Sequence, residues 1–227
     1  MNIAAVVAAA GRGNRLGKPK QLLELGGKPM VAWSLELFER TQAINAIYIA
    51  CETDERARFE ALVHEVAPSK GRAVVVGGAT RQASVHAALS EIALPCDLVV
   101  VHDGARPFLR ADVLMRAIAA AHHGVSAVVG VPVKDTIKEV RASSIERTIP
   151  RETLWAAQTP QVFPYDVLIA AHARALSDGV QETDDAALVE RLGAPVTVVM
   201  GSYDNIKITT AEDLEMAQLR ARSEARV

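Results

Sequence analysis

A basic, glycine-containing segment follows the first apolar run of the chain. Residues 9–21 read AAGRGNRLGKPKQ and place four cations, Arg12, Arg15, Lys18 and Lys20, within nine positions. A glycine-rich turn that leaves a strand offers backbone N–H groups to phosphate oxygens. Because the net charge of the whole chain is only −2, this local concentration of positive charge indicates a ligand with several negative charges, such as a triphosphate. The alternative is a solvated basic loop, which the charge run taken alone favours.

The spacing in this segment excludes the two most common phosphate-binding motifs. The dinucleotide fingerprint needs a third glycine where this chain has Leu16. The Walker A motif needs glycine at Arg12 and Ser or Thr at Pro19. We therefore predict an extended loop that wraps its ligand. Its position at the carboxyl end of a strand, where open α/β sheets bind ligands, favours binding over solvation.

An aspartate follows the predicted strand at residues 98–101. It lies in the segment VHDGARP, which contains Asp103 and Arg106. A carboxylate at a strand end suits Mg²⁺ that bridges phosphate groups. An Asp103 that caps its own turn and pairs with Arg106 is an equally good interpretation of this segment alone.

Two further segments are predicted to reach the same edge of the sheet. In GGATRQAS, residues 77–84, the glycines allow a base or ribose to approach the backbone, and Ser84 projects from the first helical turns. A plain turn capped by Thr80 is the alternative. In DNIKIT, Lys207 lies between two isoleucines, which predicts a partly buried stem and a directed ammonium group. The alternative there is a lysine that keeps an edge strand soluble.

Short apolar runs alternate with amphipathic stretches along most of the chain. The runs predict buried strands, at residues 3–8, 44–50, 73–76, 98–101, 126–131 and 196–200. The amphipathic stretches predict a helix after Pro29 and others at residues 54–66, 80–92, 111–122, 167–176, 184–192 and 211–222, the last capped by Thr210. This alternation predicts an α/β fold of Rossmann-like type: a mostly parallel twisted sheet with helices on both faces, in one domain spanning residues 1–227.

One region interrupts the alternation. Residues 132–161 alternate apolar and charged side chains around a small polar centre at residues 142–144. This pattern predicts an antiparallel hairpin, an arm of about residues 133–153 that projects from the sheet. Thr136 and Arg151 lie on it, and pattern alone favours a solvated face for both.

Composition limits the classes of partner. The chain has 25 Lys and Arg against 27 Asp and Glu, with two Trp, three Tyr and four Phe. It therefore lacks the basic field and the aromatic platform typical of nucleic-acid binding, and no apolar run approaches the ~20 residues of a membrane span. Two cysteines 45 positions apart favour a reducing cytoplasm over a disulfide scaffold. Glu182, Asp184 and Asp185 are interpreted as helix-start acids rather than metal ligands.

Taken together, these segments resemble one family, the 2-C-methyl-D-erythritol 4-phosphate cytidylyltransferases. The resemblance runs from the first strand to about residue 220. It rests on six segments in the family's order and spacing: AAGRGNRLGKPKQ, GGATRQAS, VHDGARP, VKDTIK, TIPRETLWAAQTPQ and DNIKIT. The family usually has alanine at the position of Gly104.

The resemblance implies a role for each matching residue. The catalytic set would be Arg15, Lys20, Arg151 and Lys207. The nucleotide would contact Ala9, Ala10, Gly11, Gly13, Gly78, Ala79, Ser84 and Ala105. The second substrate would contact Asp103, Arg106, Thr136, Arg151, Thr159 and Lys207, with Asp103 also holding Mg²⁺. The arm would cross to a second copy, so that a homodimer shares each site.

The reaction implied by the resemblance joins CTP to a polyol phosphate and releases pyrophosphate. The favoured acceptor is methylerythritol phosphate, because of the VHDGARP and TIPRETLWAAQTPQ segments. The nearest alternative is a ribitol 5-phosphate cytidylyltransferase, which would share the loop, the aspartate and the chemistry. A nucleotide-binding module without turnover is a further alternative, which the paired cations at one edge make less favourable.

Overall fold

The computed structural model describes residues 1–11, 20–93, 95–121 and 124–224. Its strands are β1 (Ile3–Ala8), β2 (Glu24–Leu25), β3 (Lys28–Pro29), β4 (Ala46–Cys51), β5 (Gly71–Val76), β6 (Leu98–Asp103), β7 (Ser126–Pro132), β8 (Ile137–Arg141), β9 (Ser144–Ile149), β10 (Trp155–Pro164) and β11 (Val196–Met200). Its α-helices are α1 (Met30–Arg40), α2 (Arg56–Val66), α3 (Arg81–Ser90), α4 (Ala111–Ala120), α5 (Tyr165–Asp178), α6 (Asp185–Arg191) and α7 (Ala211–Glu224).

Seven strands form one sheet in the order β11-β7-β10-β6-β1-β4-β5. Strands β11 and β7 are parallel, as are β6, β1, β4 and β5, whereas β10 runs antiparallel to both of its neighbours. The carboxyl ends of β1, β4, β5 and β6 therefore meet at one edge of the sheet. The predicted mostly parallel sheet is confirmed.

Alternate residues of the inner strand β1 enter two different apolar layers. Ala5 and Val7 face a core built with helices α1, α2 and α4. Ala4 and Val6 face a second core built with α3, α5 and α6. Because both faces of β1 are buried, its sequence is a continuous apolar run rather than an alternating one. The prediction of helices on both faces is confirmed.

The observed hairpin is shorter than the sequence segment from which the arm was predicted. Strands β8 and β9 pair as a separate antiparallel hairpin, and Ala142 and Ser143 form its turn with φ of 45° and 67°. Positive φ at both central residues is typical of a two-residue turn that matches the twist of a hairpin. The alternating segment also includes residues 155–161, which lie outside the predicted arm. They belong to β10, an inner strand of the main sheet.

The C-terminal helix begins where the sequence predicts and ends later. The backbone N–H of Asp213 donates to Thr210 Oγ1 at 3.2 Å, which confirms Thr210 as its cap. The helix continues to Glu224, two residues beyond its predicted end. Ala217 and Ala221 pack into a small core with Leu25 and Met30, and this contact stabilises the last turns. No helix in the described part of the chain is long and apolar enough to cross a membrane.

Candidate active site

A cavity of about 690 Å³ lies at the edge where the four parallel strands end. That volume is in the range of sites for nucleotide-sized ligands. The cavity lies between the end of β1, the turn after β5, the end of β6 and the loop before α7. The described residues that line it are Ala8, Ala10, Gly11, Lys20, Gln21, Glu52, Thr53, Gly77, Gly78, Ala79, Thr80, Arg81, Ser84, Asp103, Ala105 and Lys207.

Asp103, the last residue of β6, is surrounded by cations at the floor of this cavity. Its Oδ1 accepts from Arg81 Nε at 2.9 Å, and its Oδ2 pairs with Lys207 Nζ at 2.7 Å. Arg106 Nε lies 3.9 Å from the same Oδ2. Burial alone would raise the pKa of Asp103, but the charges of Arg81 and Lys207 outweigh it and hold that pKa well below its usual range. The carboxylate is therefore ionised at neutral pH.

Two lysines approach the same short backbone segment. Lys20 Nζ donates to the carbonyl of Ile208 at 3.1 Å, and Lys207 precedes that residue. The N–H of Ile208 donates to the carbonyl of Ala105 at 2.9 Å, which ties this segment to the end of β6. The structure thus places Lys20 and Lys207, which are far apart in sequence, in the lining of one cavity.

The opposite wall is backbone with little side-chain bulk. A Cβ added to Gly77 would lie 2.4 Å from the Cβ of Ala10, and one added to Gly78 would lie 2.5 Å from the Cβ of Ala83. Ser84 Oγ accepts from the Gly78 N–H at 3.1 Å and donates to the Thr80 carbonyl at 2.8 Å. Packing against Ala10 and Ala83 therefore requires glycine at both positions, and the turn lines the cavity with little side-chain bulk. Ser84 holds the turn in shape.

A buried hydrogen-bonded chain supports Asp103 from below. The Asp103 N–H donates to Thr159 Oγ1 at 3.0 Å, and Thr159 Oγ1 is 3.0 Å from His102 Nδ1. His102 Nε2 is 3.0 Å from the carbonyl of Arg106, which can only accept, so Nε2 carries the proton. Burial lowers the pKa of His102 to about 4, so the ring is neutral at pH 7. Its Nδ1 therefore accepts from the Thr159 hydroxyl.

From these hydrogen bonds we expect Thr159→Val to lower the free energy of unfolding by roughly 2 kcal/mol, because the Asp103 N–H and His102 Nδ1 would be buried without partners. Thr159→Ser keeps the hydroxyl and is the matched control. Urea unfolding of both variants measures the difference. If Thr159→Val were as stable as Thr159→Ser, the hydrogen bonds of the Thr159 hydroxyl would not contribute to the stability of the fold.

The chain matches the family model described as 2-C-methyl-D-erythritol 4-phosphate cytidylyltransferase over residues 3–223. A protein of that name from Shouchella clausii is 46% identical over 220 residues, 96% of each chain. Another from Geobacter metallireducens is 46% identical over 224 residues, 96% of this chain and 97% of the relative. The chain belongs to the 2-C-methyl-D-erythritol 4-phosphate cytidylyltransferase family. The resemblance inferred from six sequence segments is confirmed.

Solved structures of this cytidylyltransferase family have the same fold. The enzyme of this name from Thermus thermophilus is 36% identical with a TM-score of 0.79, over 98% of this chain and 100% of that chain. The 4-diphosphocytidyl-2C-methyl-D-erythritol synthase from Anaerococcus prevotii superposes with a TM-score of 0.87 at 29% identity, over 97% and 98% of the two chains.

Most of the residues that the family resemblance implicates converge on the cavity. Those that line it are Ala10, Gly11, Lys20, Gly78, Ala79, Ser84, Asp103, Ala105 and Lys207. Ala9 and Thr159 are buried beside the cavity rather than lining it. The implicated residues Arg15 and Gly13, with Arg12 and Lys18 of the same basic loop, lie outside the described residues.

Three implicated residues lie away from the cavity lining. Arg106 donates from one Nη atom to the carbonyl of Asn205 at 2.7 Å and from the other to that of Ala157 at 3.4 Å. It therefore holds the Lys207 loop against β10. Thr136 and Arg151 are exposed at the base of the arm, where Arg151 donates to the Lys134 carbonyl.

Sequence reasoning missed Arg81, the residue that faces Asp103. Arg81 is the first residue of α3, a position where the helix dipole disfavours a cation. That mismatch was the available signal. The interpretation of Asp184 and Asp185 as helix-start acids is confirmed only in part. Asp184 does cap α6 by accepting from the Ala187 N–H at 3.0 Å. Asp185, however, is fully buried, and it pairs with Arg81 Nη1 at 2.6 Å.

The site can offer Mg²⁺ one carboxylate from a residue already at the cavity floor. Within the described ranges no group of three or more His, Cys, Asp or Glu side chains could hold a metal ion. Asp103 Oδ2 pairs with Lys207 Nζ, and both residues line the cavity. This donor set fits an ion that takes most of its ligands from phosphate oxygens and water, as Mg²⁺ does in nucleotide sites.

Proposed function

We propose that this chain transfers a cytidylyl group from CTP to 2-C-methyl-D-erythritol 4-phosphate, giving 4-diphosphocytidyl-2-C-methyl-D-erythritol and pyrophosphate in non-mevalonate isoprenoid synthesis. The observation on which the proposal depends is the arrangement of Lys20, Lys207 and Asp103 opposite a glycine wall, in a chain that belongs to this nucleotidyltransferase family. The cavity thus combines a surface for a nucleoside with a cationic floor for phosphates.

The reaction needs charge neutralisation more than proton transfer. An oxygen of the acceptor phosphate forms a bond to the α-phosphorus of CTP. The bond from that phosphorus to the β-phosphate breaks, and pyrophosphate leaves with the electron pair. Because the second pKa of a phosphate monoester is ~6, the nucleophile is already ionised at neutral pH. The protein must bring two anions together in line.

The two lysines suit different parts of this reaction. Lys20 follows the basic loop at the end of β1, and we assign it to the triphosphate and to the charge that develops at the α-phosphorus. Lys207 lies on the loop before α7, and we assign it to the acceptor phosphate. Its pair with Asp103 keeps the ammonium at the cavity floor. Arg15 is proposed to assist Lys20.

We further propose that Mg²⁺ enters with the nucleotide and takes Asp103 as its protein ligand. When bound, the ion would neutralise phosphate charge and orient the α-phosphorus. Arg81 keeps one oxygen of Asp103 in place while the other is shared. Asp103 itself stays ionised because the pKa of its carboxyl is held well below the usual range by Arg81 and Lys207 in spite of burial.

The hairpin formed by β8 and β9 is the proposed dimerisation arm. Val140 and Ile145 are 56% and 63% exposed on it, and Trp155 is 38% exposed at its base. Exposed apolar side chains on a projecting hairpin are typical of a surface that another chain covers. A second copy of this chain is the proposed partner, with Thr136 and Arg151 contributed to the neighbouring site.

Under this arrangement Arg151→Ala should raise KM for the polyol phosphate about ten-fold with a smaller change in kcat. The lost charge would contact the acceptor in both the ground state and the transition state. Steady-state kinetics with saturating CTP measure KM for the polyol phosphate. Arg141→Ala is the control, since Arg141 pairs with Glu146 at 3.0 Å on the same hairpin. Equal KM values for the two variants would contradict the shared site.

Pyrophosphate release tests the function itself. Folded protein is mixed with CTP and Mg²⁺, and with either methylerythritol phosphate or ribitol 5-phosphate. Turnover with methylerythritol phosphate alone supports the proposal. Turnover with ribitol 5-phosphate alone would keep the chemistry and replace the acceptor. Binding of CTP without turnover of either acceptor would contradict the proposal and favour a nucleotide-binding module.

A further inference from the structure

A buried polar network connects the cavity floor to the opposite side of helix α3. Arg81 bridges two carboxylates, with Nε on Asp103 at 2.9 Å and Nη1 on Asp185 at 2.6 Å. Behind Asp185, His172 Nε2 lies 3.0 Å from its Oδ1. The side chains of Asp185 and His172 are both 1% exposed. The network therefore crosses from α5 through α6 and α3 to the end of β6.

We propose that Asp185 is a positioning residue for the reaction: through Arg81 it holds the carboxylate of Asp103 so that Oδ2 is presented to Lys207. This inference rests on the proposed function and extends it to a residue that does not line the cavity. Neither the cap of α6 nor packing requires an ionised group at position 185, since Asp184 already caps the helix.

The geometry explains why one arginine needs two anions. A guanidinium group is a planar fork, and two carboxylates on different edges fix its plane. With Asp185 in place, Arg81 has one donor for each carboxylate. Without Asp185 the fork would be held at one edge alone, and Asp103 could rotate with it.

The position of Asp103 matters because several cations compete for it. Lys207 Nζ and Arg106 Nε both lie near Oδ2, at 2.7 and 3.9 Å. If Oδ1 were released by Arg81, the whole carboxylate charge would be available to Lys207. Lys207 would then be held more tightly or in another place, and it would bind the acceptor phosphate less well.

Asp185→Asn tests this inference, because it keeps the size of the side chain and removes its charge. We expect KM for the polyol phosphate to rise about ten-fold and kcat to fall about ten-fold. Partial unfolding would behave differently, because a smaller folded fraction lowers apparent kcat and leaves both KM values unchanged. That outcome, or wild-type kinetics, would overturn the inference.

Asp184→Asn is the matched control. It removes a carboxylate at the adjacent position, and that carboxylate contacts the Ala187 N–H and Gln161 rather than Arg81. We expect kinetics like those of wild type. Arg81→Lys is a second variant, in which an ammonium replaces the fork. It should raise KM for the polyol phosphate and lower kcat, as Asp185→Asn does, and wild-type kinetics in Arg81→Lys would also overturn the inference.

A readout that needs no turnover separates this inference from the proposed function. The rate at which an acylating reagent modifies Lys207, followed by peptide mass spectrometry, reports on its pair with Asp103. We expect that rate to change several-fold in Asp185→Asn and to stay at the wild-type value in Asp184→Asn. Inactive wild-type protein with this difference in rate would overturn the proposed function alone. Equal rates in the two variants would overturn the positioning role.

Discussion

Lys20→Ala should lower kcat by about 10²–10³-fold, which corresponds to ~3–4 kcal/mol of lost transition-state stabilisation. Lys20 lines the cavity at the end of the basic loop, and its Nζ is tied to the carbonyl of Ile208 beside Lys207. In the proposed reaction, negative charge grows on the phosphate oxygens as the bond to pyrophosphate breaks. A cation that meets growing charge contributes more to the transition state than to the ground state. KM for CTP should therefore change less than kcat.

Lys28→Ala is the control for this variant. Lys28 pairs with Glu36 at 2.5 Å and lies 4.3 Å from the centre of the Trp33 ring, outside the cavity lining. Lys28→Ala removes one lysine from the same part of the chain and leaves Lys20, Lys207 and Asp103 unchanged. Pyrophosphate release at saturating substrates measures both variants. A kcat near wild type in Lys20→Ala would remove this lysine from the proposed mechanism.

Asp103→Asn should reduce kcat by more than 10²-fold and lower the free energy of unfolding by about 3–5 kcal/mol. The variant removes the carboxylate shared by Arg81 and Lys207. The amide that replaces it has one acceptor oxygen for these two cations, so one of them would face N–H donors. Arg81 would keep Asp185, whereas Lys207 would lose the ion pair that places it. Urea unfolding and steady-state kinetics measure the two effects.

The pH dependence of stability distinguishes this charge effect from a packing defect. The pKa of Asp103 is held below its usual range in the folded state, so its contribution to stability is complete above the unfolded pKa of ~4 and is lost as pH falls further. Wild type should therefore lose stability more steeply below pH ~4 than Asp103→Asn does. Glu65→Gln, which removes an exposed carboxylate near the end of α2, should keep the wild-type slope. Identical slopes in Asp103→Asn and wild type would contradict the argument.

The sequence predicts those parts of the fold whose burial is visible in local composition. Strands β1 and β11 were predicted with their observed bounds, because five or six consecutive residues of each are mostly Val, Ile and Ala. Strand β10 was not among the predicted strands, since polar residues such as Gln158 and Thr159 are buried in it. They are satisfied by Ser202 and His102, which lie 44 and 57 positions away. No local pattern contains that information.

The residues of the candidate site likewise include some that local sequence predicts and some that it does not. Asp103 and Lys207 could be predicted because a charged group beside a strand-like apolar run is conspicuous. Asp185 could not be predicted, because an acid at a helix start already has a local explanation. Its actual partner, Arg81, is 104 positions earlier in the chain. Long-range ion pairs of this kind depend on topology, which brings α3 and α6 to the same face of the sheet.

Strand β10 joins the arm to the cavity floor as one continuous element. Trp155 pairs with Pro132 at the root of the arm, and Thr159, roughly 13 Å further along the strand, supports the backbone of Asp103. Insertions and substitutions in the exposed hairpin at residues 137–149 leave this connection intact. A change in length at the root would instead displace Thr159. We therefore expect changes in length to be restricted most strongly where the hairpin joins the sheet.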